Sequence, residues 1–367
     1  MKLAIIGPGY GHNIKPYLMF FNDWQKDQVD FYYHHKDSFS DEYTNISFLP
    51  IPNKLLHLFF NAKKYDVVWL MGGGRLLYVI AFMSFFMKKN SKLVIFPYGE
   101  RLPRETNKKT IKGWFLRKVL SCFTCIHCGW YGIADLLNPK LKSKILIQVM
   151  GINKDFYKVS TNPHKEICKL LEIINENEYN FYYPKSFLKV SRHDLVIEAV
   201  KILKENGEKL PPFKVYFLGG NEQDNQRYEE LQGLISTYNL CSDIIFLQKT
   251  IFFKTEDLNL IWGKMNCGLQ IAQHDGLSTT IFEPLVNEKE LIISDISPYR
   301  YLDDYFGVEF NLTPLTAQAI AREMKNKILN INTRSKEEKQ KIKVAIKEKY
   351  SFESNIEKLL LRFEKGI

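Results

Sequence analysis

The chain has 367 residues, more than a single core of roughly 250–300 residues accommodates and comfortable for two domains. Apolar residues make up 45% and charged residues 25%, a balance that sets aside disordered, collagen-like and coiled-coil classes. The net charge of +10 calls for an anionic partner; with no paired Cys/His fingers, no basic region leading into heptads and no RNP-type strand, nucleic acid is excluded, and phosphorylated ligands or an anionic membrane face remain.

Met1 runs directly into an apolar strand without a basic n-region or cleavage site, so the expectation is a cytoplasmic protein whose six cysteines are reduced thiols. Near-continuous apolar runs predict strands at Leu3–Ile6, Val29–Tyr33, Ile46–Leu49, Val67–Leu70, Leu93–Phe96, Phe123–His127 and Ile145–Val149. After the first strand, Gly7-Pro8-Gly9-Tyr10-Gly11-His12-Asn13 forms a glycine turn that lets backbone approach a ligand. Its G-x-G-x-G spacing fails the dinucleotide fingerprint, which argues against a nicotinamide-dependent oxidoreductase. Leu76–Met87, the longest apolar stretch, is too short to span a bilayer and reads as a core helix. Cys122, Cys125 and Cys128 with His127 lack a second Cys pair and lie on a buried strand, so packing rather than metal binding is expected; His34-His35 read as a loop feature.

The polar segment Val159–Lys165, with Pro163, marks a domain boundary, after which the strand pattern restarts at Phe181–Tyr183, Lys214–Leu218, Ile244–Leu247, Cys267–Ile271 and Leu291–Ser294, with a helix at Leu195–Glu205. Strands alternating with helices make the fold class α/β. In Gln270–Asp295 a strand gives way to a polar turn and then to a helix starting near Thr280, an arrangement that aims backbone N–H groups at a phosphate. Two carboxylates, Asp275 and Glu283, flank that turn and suit sugar or ribose hydroxyls; an Asp/Thr helix cap with a solvated Glu fits the same spacing. In the terminal segment Ser351 and Ser354 are candidate N-caps, Ser354 and Glu357 have capping-box spacing, and Ile356, Leu359, Leu360 and Phe363 share a face. That helix covers its own sheet or crosses back to the first domain.

Gln270–Asp295 resembles the acidic E-x7-E signature of the retaining glycosyltransferases of family four, with Glu283-Pro284-Leu285-Val286-Asn287 continuing to Ser294-Asp295 in place of the family's E-A-M-A-x-G-x-P-V-I-A-S-D. The resemblance implies a GT-B fold, two Rossmann-like β/α/β domains facing each other across a cleft. They would span 1–158, joined by the terminal helix 350–367, and 166–349. It implies that Glu283 binds a ribose, that Asp275, in the place of the usual Glu, contacts the donor sugar, and that the amides of Gly276, Leu277, Ser278, Thr279 and Thr280 hold sugar hydroxyls and the diphosphate. Tyr183-Pro184-Lys185 followed by Lys189, Arg192 and His193-Asp194-Leu195 resembles the G-R-L…K-G-x-D-L stretch. Lys185 would be one diphosphate cation, and Lys189 or Arg192 the other.

Phe217-Leu218-Gly219-Gly220, Met150-Gly151-Ile152-Asn153 and Tyr350-Ser351-Phe352 resemble further family landmarks, the last favouring a terminal helix that returns to the first domain. Gly9 and Gly11 would line the cleft, with Tyr98 or His12 in the family histidine's role. The implied activity is transfer, with retention and without a metal or cofactor, of a hexose or N-acetylhexosamine from a UDP- or GDP-type donor to a glycan, lipid-linked or protein acceptor in bacterial surface-glycan assembly. The alternative is a non-catalytic partner subunit of the same fold. Arg101–Lys118, basic with Trp114, Phe115 and Leu116 among the cations, suggests an anionic membrane face, making the protein peripheral on the inner membrane, or else a solvated basic face over a core.

Overall fold

The computed structural model describes residues 1–7, 14–24, 28–33, 43–51, 54–97, 100–219, 225–248, 255–331 and 333–365. They form two compact units, Met1–Met150 with Phe352–Ile367, and Gly151–Ser351. In the first, β1 (Lys2–Gly7), β2 (Gln28–Tyr33), β3 (Ile46–Pro50), β4 (Val67–Met71), β5 (Lys92–Phe96), β6 (Cys125–Cys128) and β7 (Ile145–Ile147) stand in the order β3-β2-β1-β4-β5-β6-β7. In the second, β8 (Tyr179–Tyr183), β9 (Phe213–Gly219), β10 (Ile244–Gln248), β11 (Cys267–Gln270), β12 (Glu290–Ser294) and β13 (Leu312–Thr313) stand in the order β10-β9-β8-β11-β12-β13. Every pairing is parallel.

Both sheets therefore reverse their strand order once, between β1 and β4 and between β8 and β11, the doubly wound arrangement of Rossmann-like domains. Crossover helices cover both faces of such a sheet, which is why its strands read as apolar runs. Val67 through Met71 are each no more than 1% exposed. The twelve strands expected from the sequence are present, with ends displaced by one or two residues. β13 was not expected: its two residues pair with Ile293 and Ser294 at the end of β12 and form no apolar run.

Elsewhere the structure departs from the sequence reading. Leu76–Met87 is a helix only over Leu76–Met83, followed by a 3-10 turn at Ser84–Phe86, and while Leu77, Ile80, Ala81 and Met83 are buried, Phe82, Phe85 and Phe86 are exposed. Residues 151–158 belong with the second unit, ahead of the expected boundary, because the Asn259 side chain donates to the carbonyls of Phe156 (2.9 Å) and Lys158 (2.7 Å). The terminal helix begins at Phe352, so Ser354 falls inside its first turn and the expected capping box is not at its N-cap. A capping box forms instead between Ser335 and Glu338 at the start of helix Lys336–Lys349.

That terminal helix packs Phe352, Ile356, Leu359, Leu360 and Phe363 into the core of the first unit. Phe352 lies edge-on to Tyr17 (4.9 Å), Phe363 edge-on to Trp69 (5.7 Å), and Asn355 donates to the Val149 carbonyl at 2.8 Å. Where the chain enters the second unit, Ile152 donates to the carbonyl of Tyr350 at 2.9 Å. Gly151 is obligatory there: its φ is +74°, and a Cβ would lie 1.8 Å from that carbonyl oxygen.

Candidate active site

In an open parallel sheet the strand ends on either side of the order reversal splay apart and leave a crevice outside their carboxyl ends. In the second unit those ends belong to β8 and β11. Lys185 follows β8 by two residues and Asp275 follows β11 by five, so residues 90 positions apart in sequence converge on one crevice. The Tyr183 hydroxyl, fully buried, sits between the carbonyls of Ser191 and Ile271 and donates to one at a time, tying the two loops together. A second tie runs from the Gln273 amide to the Val190 carbonyl at 2.8 Å. Gly219, at the end of β9, lets backbone pass beneath: a Cβ there would meet the Lys185 carbonyl and the Phe187 ring at 2.8 Å.

The polar side chains at the crevice form a closed ring whose proton directions are fixed by its two charged members. Lys185 Nζ can only donate, and it donates to Asp275 Oδ2 (2.5 Å) and Ser278 Oγ (3.0 Å). The Thr280 hydroxyl donates to Gln270 Oε1 at 2.7 Å, so the 2.7 Å contact between the Ser278 and Thr280 hydroxyls must have Ser278 as its donor. Gln270 Nε2 donates to Asp275 Oδ2 and to Tyr299 Oη, both at 2.6 Å, and the Tyr299 hydroxyl donates to the same Oδ2 at 2.9 Å. The Gly276 amide supplies a fourth donor, to Asp275 Oδ1 at 2.8 Å. Gln270 and Tyr299 are buried, and burial together with the Asp275 charge holds the Tyr299 hydroxyl protonated, well above its ordinary value.

Helix Thr279–Val286 starts at this ring. Ser278 is its N-cap, accepting from the Thr280 amide at 3.3 Å through its hydroxyl and from the Ile281 amide at 3.0 Å through its carbonyl, so the positive end of the helix lies at the ring. Gly276 borders open space: a Cβ there would have nothing within 4 Å. Glu283 is on the same helix, but its carboxylate is buried and accepts from Trp262 Nε1 at 3.1 Å. It is not a solvated Glu.

The structure thus joins Lys185, Asp275, Gly276, Ser278 and Thr280 by direct hydrogen bonds, with Leu277 and Thr279 part of the same turn. It separates the two rivals for the second cation. Arg192, in left-handed backbone (φ 46°) ahead of helix His193–Glu205, is turned onto Asp194, which it meets at 2.9, 3.1 and 3.3 Å; Asp194 also holds Arg227 at 3.0 Å. Lys189 is exposed on the 3-10 turn Lys189–Ser191 and, among the described residues, makes no ion pair. His193 is enclosed by the rings of Tyr183, Phe187 and Phe217, and burial pushes it down to about 3, so it is a neutral packing group near pH 7. Gly9, Gly11, His12, Tyr98 and His34-His35 lie outside the described residues.

Sequence reasoning assigned no role to Gln270, Tyr299 or Trp262. A polar residue closing an apolar strand is a usable signal for Gln270; Tyr299 comes from a turn 24 positions beyond Asp275 and carries none. Cys125 and Cys128 are buried on β6, where burial pushes both thiols up to about 12 and makes them inert, while Cys122 is exposed. His127 accompanies them, stacked on Phe96 at 4.5 Å and pushed by burial down to about 4. Among the described residues no group of His, Cys, Asp and Glu is arranged to hold a metal.

No sequence-family model matches the chain, and no curated protein matches it. Solved structures do. Anabaena HepE in complex with UDP and glucose aligns over 100% of both chains at a TM-score of 0.77 and 12% identity. A glycosyltransferase from Rickettsia africae aligns over 100% of this chain and 98% of its own at 0.75 and 14% identity. Sucrose-phosphate synthase from Thermosynechococcus elongatus aligns over 100% and 98% at 0.70 and 12% identity. With the two parallel sheets, these likenesses establish a two-domain α/β fold of the GT-B type.

Proposed function

We propose that the chain is a glycosyltransferase that takes its sugar from a nucleoside-diphosphate donor held by the Gly151–Ser351 unit. The observation that carries this reading is the cluster of Lys185, Asp275 and Ser278 at the order reversal of the second sheet, ahead of a helix N-terminus. HepE, which shares the fold over its whole length, has been solved with UDP, with UDP and glucose, and with UDP-glucose. In the proposed complex the diphosphate takes the Lys185 ammonium and the positive end of helix Thr279–Val286, and exposed Lys189 supplies the second positive charge in preference to Arg192, whose charge is already balanced. Glu283 turns to the ribose. Asp275 accepts from hydroxyls of the transferred hexose or N-acetylhexosamine. The roles of Gly9 and Gly11, and of Tyr98 or His12, are proposed on the sequence resemblance alone.

Transfer proceeds with retention: the acceptor hydroxyl attacks the anomeric carbon on the leaving-group face, the bond from that carbon to the phosphate oxygen breaks, and the hydroxyl proton passes to the departing phosphate. Fixed charge at the leaving group is worth most in a site that excludes water. The donor is of UDP or GDP type and the acceptor a glycan, lipid-linked or protein hydroxyl in surface-glycan assembly; activity is expected to persist in EDTA. Donor hydrolysis against a panel of nucleotide sugars, read by mass spectrometry beside thermal shifts with UDP, GDP, dTDP and NAD, tests the reading. A shift with NAD alone overturns it.

One observation favours a non-catalytic partner subunit: the Asp275 carboxylate already accepts from four protein donors. Nucleotide-induced stabilisation without turnover of any donor, alone or with acceptor extracts, would select that reading.

A further inference from the structure

The positive charge of this protein is concentrated in one stretch. Residues 54–118 hold fourteen Lys and Arg against Asp66, Glu100 and Glu105, an excess of eleven, whereas the whole chain's excess is ten. The rest of the chain sums to an excess of one acid, although residues 322–349 hold ten Lys and Arg against four Glu. The same stretch carries every large exposed Phe and Trp among the described residues: Phe60 (82%), Phe82, Phe85 (77%), Phe86, Trp114 and Phe115. Exposed aromatic clusters are uncommon on monomeric proteins and mark interaction sites.

Ring contacts link several of these residues on the first unit, and Phe60 and Trp114 stand on the same helices as their members. Tyr78 and Phe82 are four residues apart in helix Leu76–Met83 and so share one side of it. Tyr78 stacks on Phe115 of helix Ile111–Ser121 at 5.5 Å, and Phe82 meets Phe59 of helix Leu55–Asn61 at 6.5 Å and Phe86 at 5.5 Å. On Ile111–Ser121, Ile111 and Trp114 extend the apolar stripe while Leu116, Val119 and Leu120 turn inward. The alternative in which Trp114 and Phe115 fill the core is excluded; only Leu116 does so. Lys63 and Lys64 follow helix Leu55–Asn61, Lys88 and Lys89 follow the turn that ends Leu76–Met83, and Lys109 and Lys112 flank the start of Ile111–Ser121; all six are exposed.

We propose that this face, built by helices Leu55–Asn61, Leu76–Met83 and Ile111–Ser121, docks the protein on an anionic lipid bilayer, with the aromatic rings at headgroup depth and the lysines against the lipid charge. Aromatic rings beside lysines, with little acid, match the interfacial region of such a bilayer. A second copy fits poorly, since a symmetric interface would bring eleven excess positive charges against eleven more. The surface extends the Arg101–Lys118 stretch to two further helices and is independent of the donor site. Among the described residues no helix is long and apolar enough to cross a membrane, so attachment there is peripheral.

The test is sedimentation of the full chain with vesicles of phosphatidylcholine alone or with 30% phosphatidylglycerol. The expected result is at least tenfold stronger binding to the anionic vesicles, weakened tenfold or more by Phe60→Ser with Phe85→Ser, and stripped of salt dependence by Lys88, Lys89, Lys109 and Lys112→Glu. Each variant should keep the parent's melting temperature and elution volume, which its exposed positions make attainable; if the phenylalanine pair unfolds the protein, Trp114→Ser must reproduce the loss. Failure of the parent to bind anionic vesicles at low salt, binding indifferent to both sets of changes, or a parent dimer that Phe60→Ser with Phe85→Ser converts to monomer would overturn the proposal.

Discussion

Lys185 and Asp275 form an ion pair, Nζ to Oδ2 at 2.5 Å, between the loops that follow β8 and β11. Lys185 Nζ also reaches Ser278, so one ammonium touches both the carboxylate proposed for the sugar and the cap of the helix proposed for the diphosphate. Lys185→Ala is expected to weaken nucleoside-diphosphate binding by about 1.5–3 kcal/mol, the range for hydrogen bonds to charged groups, and nucleoside binding much less. Asp275→Asn should cut turnover more than tenfold while changing nucleotide affinity by less than about threefold. Titration calorimetry with UDP and uridine, beside donor hydrolysis, separates the two effects; unchanged affinity in Lys185→Ala would refute the phosphate assignment.

The pairing of Arg192 with Asp194 predicts a difference between the two candidate cations. Lys189→Ala should lower diphosphate affinity about tenfold without changing the melting temperature. Arg192→Ala should change affinity less but destabilise the fold, because it leaves Asp194 with Arg227 as its remaining cation. Paired calorimetry and thermal melts decide between them, and the reverse pattern would return the role to Arg192.

Glu283→Gln keeps an oxygen for Trp262 Nε1 and should fold as the parent does, yet weaken donor binding by about 1.5–3 kcal/mol if the carboxylate serves a ribose. Trp262→Phe removes the donor that orients it and should weaken binding by a smaller amount. Equal affinity of parent and Glu283→Gln for UDP would refute the ribose assignment.

Glu290, buried at the start of β12, accepts from Lys327 at 2.8 Å and approaches Lys339 at 2.9 Å, with Arg334 at 3.9 Å. Burial alone would raise its carboxyl, but the hydrogen bonds from Lys327 and Lys339 outweigh it and hold the group below its ordinary 4.5. As pH falls the unfolded chain therefore takes up this proton first. The stabilisation is complete above the unfolded value and is lost as pH drops through the lower folded one. Glu290→Gln removes the buried carboxylate that Lys327, Lys339 and Arg334 face and should cost about 3–5 kcal/mol at pH 7. It should also flatten the acid limb of stability below the ordinary carboxyl value of 4.5, as urea melts at falling pH would register.

The strands were readable because a parallel strand buried on both faces must be apolar at nearly every position, and twelve such runs stand out of this sequence. The turn from Asp275 to Thr280 was readable for a related reason: small polar residues between a strand and a helix serve as caps, and Ser278 is one. β13 was not, because two residues make no run, and Ser354 misled because any Ser three places before a Glu mimics a capping box until the helix start is known. Which face of Leu76–Met83 meets the core was equally hidden, since that helix is apolar all round and only its neighbours leave Tyr78 and Phe82 outside. Arg192 and Lys189 are equivalent cations in the sequence; the fold turned one of them onto Asp194. The hydrogen-bond ring depended wholly on tertiary structure, because its members are separated by as many as 114 positions, from Lys185 to Tyr299. Local propensity acts over a few neighbouring residues, whereas the convergence of Lys185, Gln270, Asp275 and Tyr299 is set by the order in which β8, β11 and β12 pair.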